Sequence, residues 1–133
     1  MLVVTNLDIK ENFMTILNLI MILLSFALLL LCILAPLRKS AAVQKRPSLK
    51  MLFKPHGIYG VLLLIVSFLH GILSGNKPAM MTGKAAWLCL LILLVLSLFR
   101  KRIGTAAWLK LHRIFSVLLC VLIAAHVLHA VLL

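Results

Sequence analysis

His56, His70, His112 and His126 are the residues of this 133-residue chain best equipped for chemistry, and they form two pairs, each fourteen residues apart. Neutral imidazole binds metals through a ring nitrogen and passes protons near physiological pH. Both pairs lie in otherwise apolar segments, "HGIYGVLLLIVSFLHG" and "HRIFSVLLCVLIAAHVLH". An offset of 56 residues aligns Lys54 with Lys110, His56 with His112, Ile58 with Ile114 and Tyr59 with Phe115. It goes on to align Gly60 with Ser116, Val61-Leu62-Leu63 with Val117-Leu118-Leu119, and His70 with His126. This is an internal repeat, and both copies keep the histidine spacing.

The elements that hold these residues follow from composition. Hydrophobic residues make up 65% of the chain and the mean hydropathy is +1.23. The only acids, Asp8 and Glu11, precede the first apolar run. Such a chain cannot cover a water-facing surface, so lipid must be its main solvent. Four apolar segments are each about as long as a membrane-spanning helix, near residues 14–36, 55–75, 79–99 and 106–133. The expected fold is all-α, an integral membrane four-helix bundle forming one transmembrane domain over residues 1–133. Trp87 and Trp108 are expected as interfacial anchors, and Lys84 is expected to snorkel.

Basic residues fix the expected orientation. Of the fourteen Lys and Arg residues, eleven fall in or beside the two connections after the first and third segments. They are Arg38, Lys39, Lys45, Arg46, Lys50 and Lys54, then Arg100, Lys101, Arg102, Lys110 and Arg113. Short basic clusters between apolar runs suit a cytoplasmic face against an anionic leaflet and not a nucleic-acid groove. Both termini are then expected outside, in the inner (plasma) membrane of a cell. Cys32, Cys89 and Cys120 lie in separate runs without C-x-x-C spacing, and are expected as small packing residues without a disulfide.

In this arrangement the second and fourth spans run parallel. Fourteen residues turn a helix through about 1400°, about 40° short of four turns, so each histidine pair shares a face about 21 Å long. His56 then lies level with His112, and His70 with His126. If the faces meet, two imidazole pairs stack across the bilayer, and a flat macrocycle with iron bound from both sides fits such a gap. Gly57, Gly60, Gly71 and Ser116 would let it approach the backbone, and Leu63 and Leu119 would fill the space between two such groups. Lys54, Lys110 and Arg113 would neutralise its propionates. Other readings stay open. An intramembrane imidazole also hydrogen-bonds a neighbouring helix, or relays protons or a metal ion in a small transporter or accessory subunit. Two nitrogens per level are too few for a closed zinc or copper site. His129 is about 60° around from His126 and is expected to line the outer mouth, where it would help bind an acceptor or simply touch interfacial water; in place of His126 as ligand it is geometrically poorer.

"KLHRIFSVLLCVLIAAHVLHAVLL" with "HGIYGVLLLIVSFLHG" resembles the ferric-reductase-like transmembrane family, which includes the membrane parts of ferric reductases and NADPH oxidases and the haem subunit of bacterial methionine sulfoxide reductase systems. The resemblance covers roughly 45 residues of the second and fourth spans. It implies two b haems, with His56 and His112 as iron ligands of the inner one and His70 and His126 of the outer one. It implies electron transfer from a cytoplasmic flavoprotein or a quinol to an external acceptor such as ferric iron, oxygen or a redox protein. The chain has no segment for a flavin or nicotinamide domain, so the reductant is expected on a partner. The expected role is the haem membrane subunit of an oxidoreductase.

Overall fold

The computed structural model describes the backbone of residues 2–132 and the side chains of residues 6–132. Among these residues every regular element is helical. In order they are α1 (Leu2–Leu34), a 3₁₀ turn (Ala35–Lys39), α2 (Ala41–Gln44), α3 (Pro47–Phe53), α4 (His56–Ser74), α5 (Met80–Leu98), α6 (Arg100–Ile103) and α7 (Thr105–Leu132). Four of them, α1, α4, α5 and α7, are long and apolar enough to cross a membrane. Their outward faces are apolar too, with Phe26, Phe68, Leu88 and Val117 all more than half exposed, as lipid solvation requires.

The chain folds as two compact units, Met1–Ser74 and Gly75–Leu133. In the first, α1 packs against α4; in the second, α5 packs against α7. Each is a helical hairpin, and its inward positions alternate three and four residues apart. On α1 these include Asn18, Met21, Ser25 and Leu28; on α4, His56, Gly60, Leu63 and Ser67. On α5 and its N-cap they include Ala79, Thr82, Ala86 and Cys89; on α7, His112, Phe115, Leu119 and Leu122. That spacing keeps one stripe of each helix against its partner.

The helix ends have local causes. Pro47 opens α3, and α4 starts after Pro55, whose carbonyl accepts from the amides of Ile58 and Tyr59. Gly75, at φ +63°, ends α4, and Gly104, at φ +87°, separates α6 from α7. Only glycine adopts such angles without strain.

Two sequence expectations are corrected in part. The first helix begins near residue 2 instead of 14, because Asp8, Lys10 and Glu11 continue it as an exposed extension. At 33 residues it rises about 50 Å, well beyond a hydrocarbon core of about 30 Å. The basic connection between the first two apolar segments is more than a bare link and carries short helices. Ser40 caps α2 by accepting from the Val43 amide, and the Tyr59 hydroxyl donates to the Leu52 carbonyl at 2.8 Å, tying α3 to α4.

Candidate functional site

In the first unit the histidines occupy the inward stripe of α4. His56 is its first residue, and His70 follows near the end away from the connection, with buried Leu63 halfway between. The imidazole of His70 is half-buried, and its Nδ1 lies 2.8 Å from Oδ1 of Asn18 on α1. Ser74 Oγ donates to the same oxygen at 3.3 Å and is also 3.3 Å from the His70 nitrogen. An amide oxygen only accepts, so Nδ1 carries the proton and donates it. The basic nitrogen of the ring is then Nε2.

The second unit reaches the same electronic result by another route. His126 Nδ1 lies 3.0 Å from the Ala79 carbonyl oxygen and 3.2 Å from Thr82 Oγ1, at the start of α5. The Thr82 hydroxyl itself donates to Ala79 at 2.8 Å. A carbonyl cannot donate, so here too Nδ1–H donates and Nε2 is the basic nitrogen. Gly83 makes this approach possible. A Cβ at that position would stand 2.9 Å from His126 Cε1 and 3.2 Å from Nδ1.

Asn18 and Thr82 occupy equivalent places, each sixteen residues before the last residue of its helix, Leu34 and Leu98. They bond histidines 52 and 44 residues further on. The repeat therefore extends from the histidine helices to whole hairpins. At the same offset Ser25 of α1 corresponds to Cys89 of α5. Cys89 Sγ faces the Phe115 carbonyl at 3.5 Å, whereas the shielded Ser25 hydroxyl has no hydrogen-bond partner among the described residues.

At the connection end of the second unit, His112 is half-buried and stacks on Trp108, with ring centroids 5.0 Å apart and planes at 18°. The Arg100 guanidinium lies over the Trp108 ring, 4.8 Å from its centroid, so the same indole meets both a cation and an imidazole. Ser116 Oγ donates to the His112 carbonyl at 2.7 Å within its own helix. Lys54, Lys110 and Arg113 are exposed, Gly60 is buried, and His129 is half-buried. A Cβ at Gly57 or Gly71 would meet nothing within 4 Å. Of the three free cysteines Cys89 is buried and Cys32 half-buried, but Cys120 is exposed and so is not a packing residue. Among the described residues no three His, Cys, Asp or Glu side chains gather as a metal cluster would require.

Sequence reasoning missed Asn18, Ser74, Thr82 and Gly83. Asn18 carried a usable signal, as an amide inside the run "MTILNLIMILL" must find a partner within the membrane. Comparison of the chain with protein-family models, curated proteins and solved structures gives no match.

Proposed function

We propose that this chain is a multi-pass dihaem cytochrome b of the plasma membrane, with its basic connections in the cytoplasm and both termini outside. It carries single electrons from a cytoplasmic flavoprotein or a quinol to an external acceptor such as ferric iron, oxygen or a redox protein. His56 and His112 would hold the inner haem, and His70 and His126 the outer. One observation carries the reading: two hairpins that differ in most residues both fix the distal histidine as the Nδ1–H tautomer. That tautomer keeps Nε2 basic, as an iron ligand must be, and an oxygen on Nδ1–H is the usual support of a ligating imidazole. The donor set therefore fits haem.

When bound, haem iron supplies the one-electron chemistry. The protein's part is to hold and to insulate. Asn18, Ala79 and Thr82 fix ring orientation at the outer level. Leu63 and Leu119, at 4% and 6% exposure, keep the stretch between levels dry. Lys54, Lys110 and Arg113 supply positive charge near the inner level, where they would neutralise propionates and attract an acidic donor. Gly60 and Ser116 leave room beside the helix backbone.

The bonds from His70 and His126 to their own hairpins favour one second reading, in which the imidazoles brace the hairpins or relay protons without haem. The two separate in one measurement. Purified protein should show a low-spin Soret band, a reduced b-type α-band and two one-electron waves in a redox titration. A colourless preparation from haem-replete cells refutes the cytochrome and leaves the second reading.

A further inference from the structure

The basic run Arg100-Lys101-Arg102 is not used by the proposed haem sites, and it lies just where the membrane-spanning helix α5 ends. The unit Gly75–Leu133 contains no Asp or Glu side chain, so these cations meet no such carboxylate within their own hairpin. Two of them rest on rings. The Arg100 guanidinium is 4.8 Å from the Trp108 ring centroid, and that of Arg102 is 5.9 Å from the Phe99 centroid.

Phe99 is also the end of a groove. Leu91, Ile92, Val95, Leu96 and Phe99 follow one face of α5 and its C-cap, and Ile103 of α6 completes the wall. The groove holds about 340 Å³, and every lining side chain is apolar. From Leu91 to Phe99 it rises about 12 Å. It therefore runs from the membrane-spanning part of α5 to the Arg102 guanidinium.

Such a groove selects by two chemistries at once. At membrane depth its apolar walls suit hydrocarbon, whereas an acidic peptide there would leave its backbone N–H and C=O groups unsatisfied. The guanidinium at its end suits two oxygens of a phosphate. A tail and a phosphate in one molecule make a phospholipid, and three clustered cations favour an anionic one. We propose that the groove of α5 and α6 holds one acyl chain of an anionic phospholipid, with its phosphate on Arg102 and with Arg100 and Lys101 adding charge beside it. The site lies within one hairpin and needs no haem.

The test uses the full chain in phosphatidylcholine vesicles with a trace of phosphatidylglycerol that carries a photoreactive diazirine in one acyl chain. After illumination, mass spectrometry should find the adduct on residues 91–99, more than about fivefold above that from phosphatidylcholine bearing the same chain. Arg102→Gln should lower the anionic adduct about fivefold, the worth of one basic residue at an anionic lipid, and leave the phosphatidylcholine adduct unchanged. Arg102→Lys keeps the charge without the fork and should fall between. Lys45→Gln, in the other unit, should change neither adduct. Val95→Trp fills the groove and should abolish the adduct on residues 91–99 in protein that keeps its helical far-UV spectrum.

Equal adducts from the two lipids, or an anionic adduct that survives Arg102→Gln, overturn the proposal and leave ordinary boundary lipid. A photoreactive residue placed at Val95 should capture lipid. Capture of α1 or α4 in its place means that the first hairpin fills the groove, and the proposal falls. A colourless preparation refutes the cytochrome alone and leaves each of these outcomes as decisive as before.

Discussion

The two hairpins solve one problem with different parts. In the first, the acceptor is the Asn18 side chain, which reaches out from α1, so the helices need no special closeness and Leu19 is tolerated beside it. In the second, the acceptor is part of the backbone, at Ala79, so the ring itself must come to the helix. Gly83, the counterpart of Leu19, makes the room. Reach and closeness are thus interchangeable, and the repeat conserves what the imidazole experiences while its neighbours differ.

The sharpest way to break this equivalence is to remove one distal ring from each hairpin. If His70 and His126 serve one site, His70→Ala and His126→Ala should each cut the haem-to-protein ratio by about half and leave the same inner wave in the redox titration. Unequal losses would show that the hairpins are not equivalent.

Closeness is probed next. Gly83→Leu should force the His126 ring off Ala79 and cost about 1–3 kcal/mol in reversible unfolding in detergent. Gly71→Leu enters open space and should change stability by less than about 1 kcal/mol. Equal costs would remove the special place given to Gly83.

A smaller effect distinguishes the connection ends. Trp108→Leu should lose the contact with His112, worth about 0.5–1.5 kcal/mol, and that with Arg100, whereas Trp108→Phe keeps much of both. Smallest is Ser25→Ala, which removes a shielded hydroxyl that no group among the described residues satisfies. It should leave stability unchanged or raise it by up to about 1 kcal/mol, whereas Cys89→Ala should lower it.

The four spans were legible in the sequence because bilayer thickness sets their length and hydropathy marks their limits. The placing of two histidines fourteen residues apart on each of α4 and α7 was legible because both copies share one offset of 56 residues. The hairpin pairing was not. Asn18 and Thr82 are separated by 64 residues, since the connection to α4 is longer than that to α7, and leucine-rich α1 and α5 align at many offsets equally well. Only the bonds to His70 and His126 fix the match. The early start of α1 escaped because a solvated helix extension follows local propensity, which an apolar pattern does not report. The short helices of the connections escaped for the same reason.

The inward stripe of the first hairpin has a further consequence. Asn18, Ser25 and Cys32 on α1, and His56, Leu63 and His70 on α4, recur every seven residues. A straight helix drifts about 20° per heptad from such a repeat, and a seam that holds it winds the two helices around each other with a left-handed twist. Winding cancels the drift. Imidazoles two heptads apart then fall on one line along the groove, so that a change in the twist of either hairpin would swing the far ring relative to the near one.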